Sequence, residues 1–418
     1  MRFRVCATIL LGVLSAAVGY ASDLELVHAT VYTEPDLPPI RDGAIYIHNQ
    51  RIVAVGATTL LRRRYRAGHI AVYDCSGFAI TAGFWNSHVH LLPVPLLHAE
   101  QKSAATLNAQ LETMFNRWGF TTVFDVASPL ANTNRIRHAV GAGTLIGPRI
   151  LTTGEPFWAD VPDYVEKYLT ENDIRIPLTT SAEAARLRVD QQVRDGADGI
   201  KIFAGAIEPH RIVLLPAGIA KAVVEEAHHD HRLVFSHPSS IEGVELSLDC
   251  GVDILAHVTG YGGQWPSSLL RRMLAAHMSL IPTLTLFDVE AQKGHASAQE
   301  REQLVALAVS QLRSYAGAGG QILFGTDIGY IYQYDPAEEY ELMARAGMSF
   351  TQILASLTVS PAARFGYAGR SGRIAPGMDA DLVVLRSDPG ADLHALSQVV
   401  YTIRAGRFLF CDGRPCAS

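Results

Sequence analysis

From about Thr81 the chain alternates brief apolar runs with amphipathic helical stretches, and this alternation implies parallel βα units. Eight runs have strand character: Trp85–Val89, Thr121–Val126, Arg149–Thr153, Gly199–Phe203, Leu233–Ser236, Asp253–Ala256, Ser279–Leu286 and Ile322–Gly325. Most are followed by helix signals, as in Pro216–His229, where proline stands in the first turn. Eight such units predict an α/β fold, a (β/α)8 TIM barrel over residues 81–365. Before it, Leu26–Tyr32, Ala44–His48, Arg51–Val55 and Ile70–Tyr73 have only turn residues between them, so they read as a small sheet. After it, the stretch from Gly372 to Pro389 and the run Val399–Ile403 return to β character. The simplest account is one composite β module built from residues 22–80 and 366–418. With 418 residues, 48% of them hydrophobic, the chain is long enough for both parts. The segment Glu155–Thr180 is long for a βα connection, and such loops gate a site or form surface insertions.

Residues 1–21 read as a signal peptide. Arg2 and Arg4 precede an apolar stretch from Val5 to Val18, and Gly19-Tyr20-Ala21 supplies small residues at a cleavage site. The stretch is too short to span a bilayer, so the expectation is a secreted or periplasmic protein with no transmembrane span after cleavage. Cleavage leaves Cys75, Cys250, Cys411 and Cys416, whose spacing matches no zinc finger. In an oxidising compartment Cys411 and Cys416 can close a small C-terminal loop, whereas Cys75 and Cys250 read as buried thiols. The net charge is only −6, and the basic run Arg62–Arg66 stands alone, which suits a solvated turn. A small-molecule substrate is therefore expected and nucleic acid is not; a homo-oligomer is left open.

Ser87-His88-Val89-His90 closes the first barrel strand. Residues i and i+2 of a strand share a face, so both histidines can aim into the barrel mouth. Lys201 stands in the fourth strand, where an interior ammonium is costly unless paired or neutralised. One reading is a lysine salt-bridged inside the barrel. The other is chemical: burial lowers the pKa, and the neutral amine captures CO2 as a carbamate with two oxygens for two cations. His237 follows the fifth strand, His257 the sixth, and Asp327 ends the eighth. Each alone reads as a satisfied polar residue at a strand end. Together these six metal-competent groups meet at the C-terminal ends of the strands, the face where barrel active sites lie.

Further motifs accompany them: Gly119-Phe120-Thr121-Thr122-Val123, Gly147-Pro148-Arg149-Ile150-Leu151, Gly199-Ile200-Lys201-Ile202, Gly325-Thr326-Asp327, and a closing run from Gly372-Arg373-Ile374 to Val383-Val384. In these the chain resembles the amidohydrolase superfamily, within it the imidazolonepropionase-like and prolidase-like branch, over nearly the whole mature length. The resemblance implies that His88, His90 and Asp327 hold the more buried of two divalent ions. It implies His237 and His257 for the more exposed ion, with carboxylated Lys201 as the bridge. Histidine and carboxylate ligands suit zinc, with manganese or cobalt as alternatives. Two departures stand out: Asn86 occupies a position often Asp in the family, and Pro238-Ser239-Ser240 is a less usual continuation after His237.

Two ions about 3.5–4 Å apart can share a hydroxide and lower the pKa of its parent water toward neutrality. By family analogy Asp327 takes that proton and passes it to the leaving nitrogen, as ligand and general acid/base at once. The expected activity is cleavage of an amide C–N bond in a dipeptide or N-acyl amino acid. His210 and Arg211 are the candidates to meet a substrate carboxylate, and Tyr261 to bond the carbonyl oxygen. Tyr330, with Tyr332 and Tyr334, either stacks on an apolar group or packs a lid. A mononuclear deaminase would need Glu three residues after the fifth-strand histidine, where Ser240 stands, and would leave Lys201 unexplained. A lactonase or phosphotriesterase would use the same binuclear site. A non-catalytic metal-binding protein would be expected to have lost a ligand.

Overall fold

Both ends of the chain meet in one sheet. The computed structural model describes residues 23–65, 70–159, 161, 163–208, 211–260, 262–414 and 416; the expected signal peptide lies outside the described residues. Strands β1 (Leu24–Val31), β2 (Ile40–His48), β3 (Arg51–Ala57), β4 (Ala71–Asp74) and β5 (Ala79–Ala82) come from the N-terminal part. After them come the parallel strands β6 (Phe84–Val89), β7 (Phe120–Asp125), β8 (Arg149–Thr152) and β9 (Gly199–Phe203), then a hairpin of β10 (Gly205–Glu208) and β11 (Arg211–Leu214). The parallel set resumes with β12 (Leu233–His237), β13 (Ile254–Ala256) and β14 (Ser279–Ile281). The C-terminal strands are β15 (Leu382–Leu385), β16 (Val399–Arg404) and β17 (Arg407–Cys411). β5 pairs antiparallel with β15, Ala82 opposite Leu382, which joins the two ends in the order β17-β16-β15-β5-β1-β2-β3, with β4 beside β1. Leu24, Leu26, Ile45, Ile80, Leu382, Val384 and Ile403 form the buried core of this sheet. Cys411 and Cys416 form a disulfide, and Cys75 is a buried free thiol. Cys250, expected to be buried, is half-buried on the helix Ile241–Cys250.

The parallel strands form two sheets, β6-β7-β8 and β14-β13-β12-β9. Backbone bonds run between them at both margins. Phe157 N donates to Lys201 O (2.9 Å) and Phe203 N to Phe157 O (2.9 Å); Leu323 N donates to Leu280 O (2.9 Å) and Ser87 N to Phe324 O (2.7 Å). Trp85, Phe124 and Leu151 from one sheet, Phe235, Ile254 and Ile281 from the other, and Leu323 from the segment between them pack into one buried cluster. Gly199 leaves room for it, since a Cβ there would lie 3.1 Å from Phe235 and 3.3 Å from Phe124. Side chains two residues further along a strand stay on the same face. Lys201 and His237 therefore continue the face that carries Gly199 and Phe235, one layer nearer the C-terminal ends.

Two expected strands differ. Ser279–Leu286 pairs only over Ser279–Ile281, and Thr285–Lys293 is a helix. Pro282 has no N–H to donate, Thr283 adopts φ 45°, and the carboxylate of Glu339 accepts from Leu284 N and Thr285 N (both 2.8 Å), which caps the new helix. Ile322–Gly325 is an irregular segment held by single bonds, because Phe324 N turns to Ser356 O (3.0 Å) instead of continuing a ladder. The long segment after β8 carries the helix Asp163–Glu171. No helix of the described residues is long and apolar enough to cross a membrane.

Candidate metal centre

The C-terminal ends of the parallel strands bring the histidines together. His88 and His90 stand at the end of β6 with ring centroids 5.2 Å apart; His88 lies 4.5 Å from His257, and His257 4.6 Å from His237. Asp327 Oδ1 is 2.8 Å from His90 Nε2 and 3.1 Å from His88 Nε2. One ligand atom each from His88, His257 and Asp327 lies within 4.8 Å of the others, a grouping able to hold a metal ion. Lys201 is buried, and its Nζ has no hydrogen-bond partner; neither nitrogen of His88 nor Nδ1 of His90 has a well-aligned one. Buried polar atoms without partners are rare and costly in a finished fold. The donor set of imidazoles, carboxylate and amine therefore fits divalent metal.

The electrostatics agree. Burial pushes the Lys201 ammonium down to about 7, although Asp327 opposes it. Burial, then the charge of Lys201, brings His88 down to about 3, and burial holds His237 and His257 well below the ordinary imidazole range. Burial alone would raise Asp327, but His88 and His90 outweigh it and hold the carboxyl well below its usual range. At neutral pH His88, His237 and His257 thus present neutral imidazoles and Asp327 a carboxylate, the forms that bind metal.

The backbone is shaped around these side chains. His257 and Asp327 both adopt left-handed conformations, φ 82° and 62°, which non-glycine residues take up mainly where the surroundings impose them. Gly325 and Gly329 flank Asp327 closely: a Cβ on Gly325 would sit 2.3 Å from Ile281 Cγ2, and one on Gly329 1.9 Å from His90 O. Asn86 is buried, accepts from His88 N (3.3 Å) and donates to Thr326 Oγ1 (2.7 Å), tying the end of β6 to the residue before Asp327. At the end of β7, Asp125 accepts from Leu91 N (3.2 Å), Ser128 Oγ (2.5 Å) and Thr133 Oγ1 (2.7 Å), which fixes the turn after His90.

Residues 79–409 match the amidohydrolase family model. The chain belongs to the amidohydrolase family. It is an enzyme, a metal-dependent hydrolase. Ochratoxinase of Aspergillus niger is 22% identical over 412 residues, covering 89% of this chain and 83% of that protein. The crystal structure of a putative prolidase from Bifidobacterium longum superposes with TM-score 0.77 at 26% identity, covering 96% of each chain. A Xaa-Pro dipeptidase with bound methionine in its active site superposes with TM-score 0.78 at 20% identity, over 93% of this chain and 99% of that one.

This amidohydrolase carries a cavity of about 610 Å³ above the cluster. Its floor includes His88, His90, Lys201, His237, His257 and Asp327. Tyr330 lines it, as does the exposed Tyr332, whereas Tyr334 accepts from Gln110 Nε2 (3.2 Å). His210 and Tyr261 lie outside the described residues, and Arg211 stands in β11 opposite Glu208. Sequence reasoning missed Trp158, Phe203, Glu290 and Lys293 on the walls. Trp158 stacks on Phe203 at 3.8 Å, and Phe203 on His237 at 4.6 Å. Phe203 was open to inference, being two residues beyond Lys201 on the same strand. Lys293 was hidden by the strand expected over Ser279–Leu286. The helix Asp163–Glu171 covers the cavity with Val165, Tyr168 and Leu169, anchored where Tyr168 Oη donates to Leu92 O (2.6 Å).

Proposed function

We propose that the chain is an exported binuclear hydrolase that cleaves the amide C–N bond of a dipeptide or an N-acyl amino acid. One observation carries the reading: four histidines and Asp327 converge beside the buried, unpartnered amine of Lys201. The backbone bonds that Phe157, Leu323 and Phe324 make between the two parallel sheets support a (β/α)8 barrel over residues 81–365. Residues 22–80 and 366–418 form the composite β module, and residues 1–21 direct export to the periplasm or beyond. The similarity to a dipeptidase and a putative prolidase favours an amide over an ester or phosphoester.

His88, His90 and Asp327 would hold one ion, His237 and His257 the other, and Lys201, once carboxylated by CO2, both. Zinc is the first choice, manganese and cobalt the alternatives. Bound divalent ions supply Lewis acidity and make water acidic enough to attack near neutral pH. The Asp327 carboxylate, ionised at neutral pH, accepts a proton from the attacking water and returns it to the leaving nitrogen, which departs poorly as an anion. Tyr330 lies along the wall where the substrate must pass, and Trp158 with Phe203 gives a flat apolar face beside His237.

The test is reconstitution with zinc, manganese or cobalt, followed by assay on dipeptides, N-acyl amino acids, lactones and phosphoesters, with metal content measured in parallel. Asp327→Asn is expected to lower kcat by at least about a hundredfold with the fold retained. A metal content of zero, or full activity in both Lys201→Ala and Asp327→Asn, would overturn the reading.

A further inference from the structure

We propose that Lys293 receives the free carboxylate of the substrate. The inference rests on the reading of the site as an amide hydrolase and names what selects the substrate there. The upper cavity wall is largely apolar, formed by Leu92, Trp158, Val165, Leu169, Ile176 and Phe287. A substrate carboxylate brought against such a wall loses hydration and needs a charged partner. Among the described residues lining the cavity, the lysines are Lys201 and Lys293, and Lys201 belongs to the metal cluster.

Lys293 is the last residue of the helix Thr285–Lys293. Two contacts aim its head group. Nζ lies 2.8 Å from Glu290 Oε1, one helical turn back, and 4.2 Å from the centroid of the Tyr330 ring. An ammonium has three donors. Glu290 takes one and the ring face attracts the cation, which leaves donor capacity toward the cavity. The Glu290 pair is half exposed, and an exposed pair of this spacing contributes little by itself, so Lys293 can share its charge with an incoming anion.

The position suits the chemistry. Tyr330 N donates to Asp327 O (3.2 Å), so the ring beneath Lys293 is one reverse turn from the residue that serves the leaving nitrogen. A carboxylate on the leaving amino acid, held at Lys293, would set the scissile amide toward Asp327 and leave the apolar wall for its side chain. The ligand class is therefore an acyl amino acid or dipeptide with a free α-carboxylate and an apolar or aromatic side chain.

The experiment compares KM and kcat for an N-acyl aromatic amino acid and for its carboxamide, in the metal-loaded native enzyme and three variants. Lys293→Met is expected to raise KM for the acid about tenfold, the scale of one lost charge-assisted hydrogen bond, with a smaller effect on the carboxamide. Lys293→Arg restores the preference for the acid, and Lys221→Met, an exposed side chain of the helix Ala217–His229, leaves both substrates unchanged. If native enzyme turns over neither substrate nor any dipeptide, the amide-hydrolase reading fails. If the acid is hydrolysed and Lys293→Met keeps the native ratio of acid to carboxamide, the assignment of Lys293 is overturned while that reading stands.

Discussion

The hydroxyl of Thr283 holds His257 in one tautomer. His257 Nδ1 and Thr283 Oγ1 are 2.6 Å apart, and the same hydroxyl donates its only proton to Pro282 O at 2.9 Å. Oγ1 must therefore accept the Nδ1–H of His257, which leaves the lone pair of Nε2 for a metal. Partners of this kind fix ring orientation and raise ligand basicity. Thr283→Val keeps the shape and removes the acceptor; metal affinity should fall by about 10–100-fold, with Thr283→Ser restoring it. Competition against a chelator measures this, and equal affinities in Thr283→Val and native protein would refute the tautomer argument.

A carboxylated Lys201 would make the chemistry of the centre depend on CO2 and on pH. Burial brings its pKa to about 7, so the neutral amine becomes the major form as pH rises past that value. Only the neutral amine reacts with CO2, releasing a proton as the carbamate forms. At constant dissolved CO2, reconstitution of metal-free protein with metal should accelerate between about pH 6 and 8 and level off above, and decarbonated buffer should slow it. Carbon-13 bicarbonate offers a direct readout, a carbamate resonance present in native protein and absent in Lys201→Ala. A flat pH profile would refute titration of the Lys201 amine in this window.

Gly329 is required by contact as well as by conformation. Its φ is 101°, and a Cβ would meet His90 O at 1.9 Å. Gly329→Ala must move either the Asp327–Tyr330 turn or the end of β6. Overpacking of this kind costs on the order of 1–3 kcal/mol, and the strained backbone adds to it. Thermal unfolding should show a Tm lower by several degrees, with reduced metal content, since Asp327 and His90 move apart. Gly347→Ala makes a useful comparison: it has similar backbone strain at φ 89° but nothing within 4 Å of the added carbon. It should lower Tm without affecting metal content.

Much of this site was legible because strand periodicity fixes direction. His88, Lys201 and His237 sit on short apolar runs whose alternation determines which side chains face inward, and the structure places them on one cavity floor. The pairing of the two chain ends followed from β patterns read with only turn residues between the N-terminal strands, although the helix Thr58–Arg64 separates β3 from β4. The walls were less legible, for a physical reason. Ser279–Leu286 is apolar enough for a strand, but Pro282 interrupts the ladder and the distant Glu339 carboxylate, 55 residues from Leu284, caps the helix into which its second half turns. With that helix misread, Lys293 had no position. Trp158 lay in the long insertion after β8, where no periodicity operates, and its partner Phe203 is 45 residues away by sequence number.

Glu339 itself gives a prediction of opposite pH sense to Lys201. The buried carboxyl is pushed up to about 7 by desolvation, although Leu284 N, Thr285 N and Thr285 Oγ1 partly offset this by donating to it. In the unfolded chain the same group releases its proton near 4.5, so between these values the folded state holds more protons than the unfolded one. Stability then falls as pH rises through that window. Its contribution is fully present below the unfolded value and lost as pH passes the folded one. Glu339→Gln cannot titrate, so the Tm of native protein relative to the variant should decline from pH 5 to pH 8. Groups common to both proteins cancel in that difference, the histidine cluster included. Because Glu339 caps the segment that carries Thr283, metal affinity of the variant should also fall, modestly and at every pH. A Tm difference constant over this range would show that Glu339 keeps one protonation state, and its role would reduce to capping.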